Sequence, residues 1–592
     1  MNLKNGKNHI RGAALLVVLF IIMVITVLSL GFLSQSDVEL ACGENMILKT
    51  QMDYLAESGM EHARGLILNP QDISSECWTG ATGLQLIAGS DDYYDLEIFP
   101  DPNDNCNYII DCNAYRFTTG ELRGFSGMRA SLRLDPCIAL WTGNDTLISN
   151  GTKINGDVFC DGILTNTGVI DGDVFAGIYT GSGSKTGQKK STGDLSLSWP
   201  RVTITDFISY YNTEYITPGS ISSHSSGSLE PVQVCYCNSD LELAGNVQID
   251  GMLLVNGDLV VRSNRNTITA AKNLPSLLVT GDLRIETGSE LQINGLAVVD
   301  GNMYISTDSA DVNIMGGLFT QGTVIETTSD SSGNGNDGQL YGGLTWLPST
   351  GKYNGAASFD GTDDKIENDN SIPAAINGLS AITLSLWVKS DVTYQDRDIM
   401  FTDEPTDDDE ELGIRYDRNG AYGGGANGIK ASIKTTSGYT QSESSSNVQT
   451  TSWQHLALTW QNDPSDSHLK LYINGVFDSG LRYDSGPVYG AITGIQKLML
   501  GCGTKNAFWD GLIDDVRIYG RALSATDINN IFRGIAVSDA DFILHWKFDE
   551  GGSGITVTAA PLKTAIILQS EDGNAEKWTQ AAGAFYRSID RK

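Results

Sequence analysis

The chain has 592 residues, with 72 acidic against 39 basic side chains and a net charge of −33. That balance argues against nucleic acid or an anionic lipid surface as a partner, and the length exceeds what one core organises. Sixty-six glycines against 14 prolines, with many alternating apolar stretches, favour a β-rich protein of tight turns.

The first element is a helix. Residues 13–33 form an apolar run without charge or proline, long enough at about 1.5 Å per residue to span roughly 30 Å of bilayer core. Lys4, Lys7 and Arg11 precede it and Asp37, Glu39 and Glu44 follow, which places the N-terminus in the cytoplasm and the bulk outside, periplasmic or extracellular. Beyond the run, Val38, Ala41, Ile47, Met52, Leu55, Gly59, Ala63 and Leu66 recur at helical steps until Asn69-Pro70. One helix therefore spans about 13–68, half apolar throughout and half amphipathic.

The basic leader ending in Gly12, the apolar half-helix and LKTQMDYLAESGMEHARGLIL (48–68) together resemble the N-terminus of type IV minor pilins and of type II secretion minor pseudopilins. The resemblance implies cleavage by a prepilin peptidase between Gly12 and Ala13, and assembly with other pilin or pseudopilin subunits in a fibre or at its tip. Ala13 and Val17 stand where major pilins carry an aromatic residue and a glutamate. An uncleaved membrane anchor is the alternative.

Residues 91–135 read as a three-strand antiparallel meander able to cover the outer half of the helix, a pilin-like α/β unit over 70–135. Cys106 and Cys112 flank NYIID and are candidates for a local disulfide, whereas Cys235-Tyr-Cys237 is too tightly spaced for an easy one. From 136 to 327 short apolar-x-Gly-Asp/Asn-apolar units recur. Gly281-Asp282 returns as Gly301-Asn302, and Ile293-Asn-Gly295 as Ile314-Met-Gly316, a period of about 20 residues that suits a β-solenoid coil. TGSGSKTG (180–187) lacks the Gly-Lys-Ser/Thr ending of a phosphate loop and reads as a polar linker.

Residues 328–535 hold GAASFDGTDDKIEN, LSAITLSLWVKS, SWQHLALTW, HLKLYINGVFDSG and WDGLIDDVRIYGRALSATDINNIF, period-two strands ending in a helix capped by Ser524. In this order they resemble laminin G-like, concanavalin A-like jelly-rolls, which implies two antiparallel sheets face to face. A strand like HWKFDEGGSG opens such domains, yet here it follows at 545–554. We therefore expect 544–550 to supply a jelly-roll edge strand from the C-terminal side, with 555–592 returning to the solenoid or the first unit.

The six histidines are scattered and no Gly-x-Ser-x-Gly elbow or paired-carboxylate strand is evident, so the expectation is binding rather than catalysis, with a concanavalin A-like glycosidase as a further alternative. Calcium is the cofactor expected, from the oxygens of Asp330, Asn334 and Asn336 in the opening turn and Asp514 and Asp515 in the last strand. Strand parity with Val516 and Ile518 points Asp514 inward. Trp346, Tyr422 and Trp509, near loops, are candidates to stack on a glycan, while Trp387, Trp453 and Trp460 read as core. The fold class that follows is mainly β: a long helix with a small pilin-like sheet, a solenoid and a jelly-roll sandwich. A pilin-like surface protein presenting that jelly-roll to a glycan or protein ligand is the function expected; a plain anchored carbohydrate-binding protein is the alternative.

Overall fold

A computed structural model of the chain describes residues 9–68, 80–102, 104–133, 137–194, 204–208, 212–226, 233–262, 265–270, 275–403, 412–419, 426–481, 483–503, 507–550, 554–559 and 586–591. The chain divides into two compact units: Met1–Pro70 with Trp78–Asp135 and Ala584–Lys592, and Gln71–Cys77 with Pro136–Gly583.

The first unit is organised by the helix His9–Leu68. Its leading half exposes Leu15, Phe20, Ile25 and Leu30 along one of the most apolar stretches of the chain, with an 18-residue window of mean hydropathy 3.0. Length and composition suit a single membrane span or a signal sequence. Its second half buries Met52, Leu55, Ala56, Met60 and Ala63 on an antiparallel sheet ordered Gly80–Leu84, Asp92–Asp101, Asp104–Thr118, Glu121–Arg133 and Tyr586–Arg591. Gly59 permits the close approach, since a Cβ there would strike the Cys112 thiol and the Tyr94 ring. The same burial overturns the local disulfide: Cys112 is a free, buried thiol that faces the helix. Cys106 stands six positions back on the same extended strand, roughly 20 Å away along its axis at 3.4 Å per residue, beyond disulfide reach. The last strand of the sheet comes from far along the chain, with Ala130 opposite Ile589.

In the second unit a parallel solenoid carries a two-sheet jelly-roll. Each regular coil has three short strands, as in Leu277–Val279, Leu283–Ile285 and Glu290–Asn294. The next coil stacks on it with Leu283 opposite Met303 and Ile293 opposite Ile314, which is the 20–21-residue period of the repeats. Leu283, Ile285, Leu291 and Ile293 point inward and are buried, whereas Arg284 between them faces out. One corner of each coil is closed by a side-chain ladder. Asp240 Oδ1 accepts from the Asp258 amide (2.9 Å), Asp258 from Asp282 (2.8 Å), Asp282 from Asn302 (2.9 Å) and Asn302 from Thr323 (3.0 Å). The glycine of each Gly-Asp/Asn pair is steric in origin: a Cβ on Gly281, Gly301 or Gly322 would occupy the space of the ladder oxygen from the coil beneath.

Stacking order departs from chain order. The coils of 212–315 lead up to Leu318–Thr320 and Val324–Thr328, but the third strand of that coil is Gly554–Thr558, with Val557 opposite Ile314. Its other edge pairs with Thr152–Asn155, Val557 opposite Ile154, and Phe319 faces Trp141 on the adjoining side. The coils of 138–185 then continue the stack beyond. Residues 330–550 thus leave and re-enter the solenoid within one coil.

That excursion is the jelly-roll. One sheet runs Gly338–Tyr341, Lys365–Asn368, Lys497–Leu500, Arg397–Asp403, Leu412–Asp417, Gly428–Thr435, Gly438–Glu443. The other runs Thr345–Leu347, Ala356–Asp360, Asp510–Tyr519, Ala381–Ser390, Gln454–Gln461, Lys470–Ile473. Leu384, Leu386, Leu456 and Leu458 from the second sheet meet Ile366, Met400, Ile414 and Leu498 from the first in a core closed to water. Phe542–Trp546 pairs antiparallel with Asp510–Tyr519, Ile518 opposite Leu544 and Val516 opposite Trp546, so the strand that joins this sheet from the C-terminal side ends at Trp546, and 547–550, expected within it, lie outside any strand. Entry and exit are tied to the solenoid: Thr327 pairs with Gln339, and Glu550 Oε1 accepts from Thr328 Oγ1 (2.8 Å) and the Ser329 amide (3.1 Å).

Replacing Gly301 by alanine should push apart the Asp282–Asn302 contact and lower stability by about 1–2 kcal/mol, the cost of stranding a partly buried donor. Asp282→Asn keeps the acceptor and loses only a partly exposed pair with Arg284 (3.2 Å), so its cost should stay under about 1 kcal/mol. Urea unfolding of the two variants checks the order.

Candidate functional site

The opening turn of the jelly-roll works as a clasp. Asp330 Oδ1 accepts from the amides of Ser332 and His545 (both 2.9 Å), and Oδ2 from Ser332 Oγ (2.6 Å) and the Asn336 amide (3.1 Å). The Asn334 and Asn336 side-chain nitrogens both donate to the Ile543 carbonyl (3.1 and 2.7 Å), and Trp546 Nε1 donates to the Asn336 carbonyl (3.0 Å). Both carboxylate oxygens of Asp330 are thus engaged by protein donors, and the Asn334 and Asn336 side chains turn their nitrogens to the exit strand. These contacts make the turn a hydrogen-bonded clasp between the entry and exit segments of the jelly-roll.

Asp514 and Asp515 do not join that turn as ligands. Trp387 lies opposite Asp514 while Ser385 lies opposite Arg517, so the strand carries an extra residue between them. Asp515 absorbs it in the left-handed region, φ 52°. The bulge shifts the parity on which the inward reading of Asp514 rested. Ile513, Val516 and Ile518 enter the core, and Asp514 lies on the opposite face beside Tyr353, whose amide it accepts at 2.8 Å. That face is covered as well: Tyr353 and Phe532 close over Trp387, the latter stacked at 5.5 Å. Asp515 accepts from His545 Nε2 (2.7 Å) and Arg517 Nε (3.0 Å), which hold it below the usual carboxylate range against its burial. Burial, with the nearby carboxylates of Asp515 and Asp549, pushes Asp514 up to about 8; burial, with Arg517 and Lys352, pushes His455, whose Nε2 meets Ser385 Oγ at 2.9 Å, down to about 3. The row is buried, and within it Asp514 Oδ1 and Asp515 Oδ2 find no hydrogen-bond partner among the described residues.

The aromatic candidates also move. Trp509 is fully buried, its ring edge-on to Tyr416 at 5.1 Å and its amide donating to the Gly501 carbonyl at 2.8 Å. Trp346 is half-buried and packs on Phe548 at 5.6 Å with its indole nitrogen buried. Tyr422 falls outside the described residues. Trp387 and Trp460 are buried, as expected of core positions.

Two features escaped the sequence reading. Asp360, Asp363 and Asp364 bring carboxylate oxygens within 4.8 Å of one another. The buried Asp364, pushed up to about 7 by desolvation, accepts the Asp360 amide at 2.8 Å, so its first role is to hold the turn. The second is a cleft of about 390 Å³ where the outer face of the solenoid meets the jelly-roll. On the solenoid side, Arg284 lies over the Tyr304 ring at 4.0 Å, flanked by Arg262 and Glu286. On the jelly-roll side stand Asp337, Gln339 and the segment 368–371. Asn368 stiffens this wall, donating to the Asp337 carbonyl (2.8 Å) and accepting from the Ile372 amide (3.1 Å). Burial pushes the Asp337 carboxyl up to about 6. The alternation of outward residues at 284 and 304 was legible in the repeats; their partners lie across the insertion.

Residues 360–529 match the Laminin_G_3 family of the concanavalin A-like lectin/glucanases superfamily. No curated protein matches the chain. Similar solved structures include domain 4 of AbnA, a GH43 extracellular arabinanase from Geobacillus stearothermophilus, in complex with arabinotriose (21% identity, covering 35% of this chain and 86% of that one, TM-score 0.25). The binding domain of Paraclostridial mosquitocidal protein 1 is 15% identical (35% and 51% covered, TM-score 0.27). A putative carbohydrate binding protein from Bacteroides ovatus is 14% identical (46% and 62% covered, TM-score 0.24).

Asp514 takes its proton at 3.8 when unfolded and at about 8 in the fold. The folded state therefore holds the extra proton across that window, and the stability this group contributes falls as pH rises through it. Urea midpoints at about pH 5 and about pH 8 should show a loss in the wild type that Asp514→Asn reduces.

Proposed function

We propose that the chain is a membrane-tethered, pilin-like surface protein whose jelly-roll recognises a glycan. Its work is recognition and display, not turnover. The observation that carries the reading is the placement of a concanavalin A-like jelly-roll inside a single solenoid coil, in a chain that starts with an exposed apolar helix. Two antiparallel sheets give loops and edges freedom to vary over a fixed core, and two tethers to a stacked solenoid hold them with little freedom to reorient. The helix whose second half packs on a small antiparallel sheet supports the pilin-like part of the reading, as do Gly12 and Ala13 at its leader. In this account the leading half of the helix sits in the inner membrane and then packs among other pilin or pseudopilin subunits.

Mass spectrometry of the N-terminus after membrane extraction, with and without a prepilin peptidase, tests the assembly half. A peptide beginning at Ala13 only when the peptidase is present is the expected result. A leader intact through Gly12 in both samples would make residues 13–33 a plain anchor, and the jelly-roll would be displayed from the membrane itself.

A further inference from the structure

The cleft between solenoid and jelly-roll has the build of a ligand site. Its volume of about 390 Å³ lies within the range of about 300–1,000 Å³ usual for small-molecule sites. Its walls cannot drift apart, because Thr327 pairs with Gln339 and Thr328 with Gly338 across the junction. Its side chains are held before any ligand arrives. Asp282 grips the Arg284 guanidinium that lies on Tyr304, Tyr341 Oη donates to Gln339 at 2.8 Å, and Asn368 fixes the wall beside Asp337. Such preorganisation lowers the entropy cost of binding.

The chemistry of the walls narrows the ligand. Two arginines, Arg262 and Arg284, stand against three carboxylates, Glu286, Asp337 and Asp369, in a chain of net charge −33. A polyanion would meet net repulsion, and the arginines oppose a cation. Donors and acceptors instead alternate at short range, and carboxylate, amide and guanidinium groups each engage adjacent hydroxyls in pairs. Asn370 precedes the helix Ser371–Ile376 without making a side-chain cap, so its exposed amide can turn to a ligand. Resting on the glycan-recognition reading above, we infer that this cleft binds a short uncharged oligosaccharide, with Arg284–Tyr304 as its floor and Asn370, Gln339 and Asp337 reading hydroxyls.

Calorimetric titration of the full chain in detergent is the test. The probes are cellotriose, xylotriose, arabinotriose, triacetylchitotriose and, as the charged counterpart, trigalacturonate. Binding of at least one uncharged probe is expected, weakened about tenfold by Tyr304→Ala and by Asn370→Ala, the worth of one polar or stacking contact of about 1.4 kcal/mol. Asn370 is exposed, so its variant keeps the test sound even where Tyr304→Ala perturbs folding. Uncharged probes bound equally by wild type and Asn370→Ala would overturn the cleft assignment and leave glycan recognition standing. Binding of trigalacturonate alone would overturn the uncharged class. Binding of no saccharide would overturn both this inference and the glycan reading.

Discussion

A parallel coil is stable only when the strands above and below satisfy its backbone groups, and the second unit depends on where that requirement is met by Gly554–Thr558. This five-residue strand fills the third side of a coil whose other two sides end at Thr328. On one edge it bonds to Asp311–Met315 and on the other to Thr152–Asn155. Without it, two halves of the stack would face each other across unpaired amides and carbonyls, each costly to bury. The jelly-roll can stand where it does because its two ends are fixed by that closure and by the pairing of Thr327 with Gln339.

The corner ladder and the clasp at Asp330 solve related problems by the same means. In both, a carboxylate or amide oxygen accepts backbone N–H groups that strand pairing leaves unserved. Asp282 does so for the coil above it, and Asp330 does so for His545 on the exit strand. Acidic residues therefore serve the architecture at several positions, which accounts for part of the surplus of acid in the chain.

What could be read from the sequence was whatever repeats or alternates locally. The Gly-Asp period exposes the coils because each glycine answers to an oxygen one coil away, about 20 residues earlier. The period-two blocks of 381–390 and 454–461 expose the sandwich because half of each strand must enter the core. Legibility failed where one residue changes a face or where partners are distant. The extra residue at Asp515 turned Asp514 away from the core, and nothing in LIDDV announces it. Trp509 sits near a loop yet is fully buried, and Cys112 turns its thiol to a helix more than 40 residues before it. The cleft was hidden for the second reason: Arg284 and Gln339 belong to elements that meet only after the stack forms.

The same topology bears on how the protein reaches its fold. The coil at the middle of the stack draws on segments near 138–155, 318–328 and 554–558, so its contacts join residues hundreds of positions apart. Loop closure over such separations slows assembly, and a strand that appears late in synthesis must wait for none but keeps the earlier ones waiting. Coils of 138–185 emerge first, yet the surface they stack on is made much later. Stacking about the central coil can begin only once all three segments have been made, while the jelly-roll, rich in contacts of its own, is the unit able to form first.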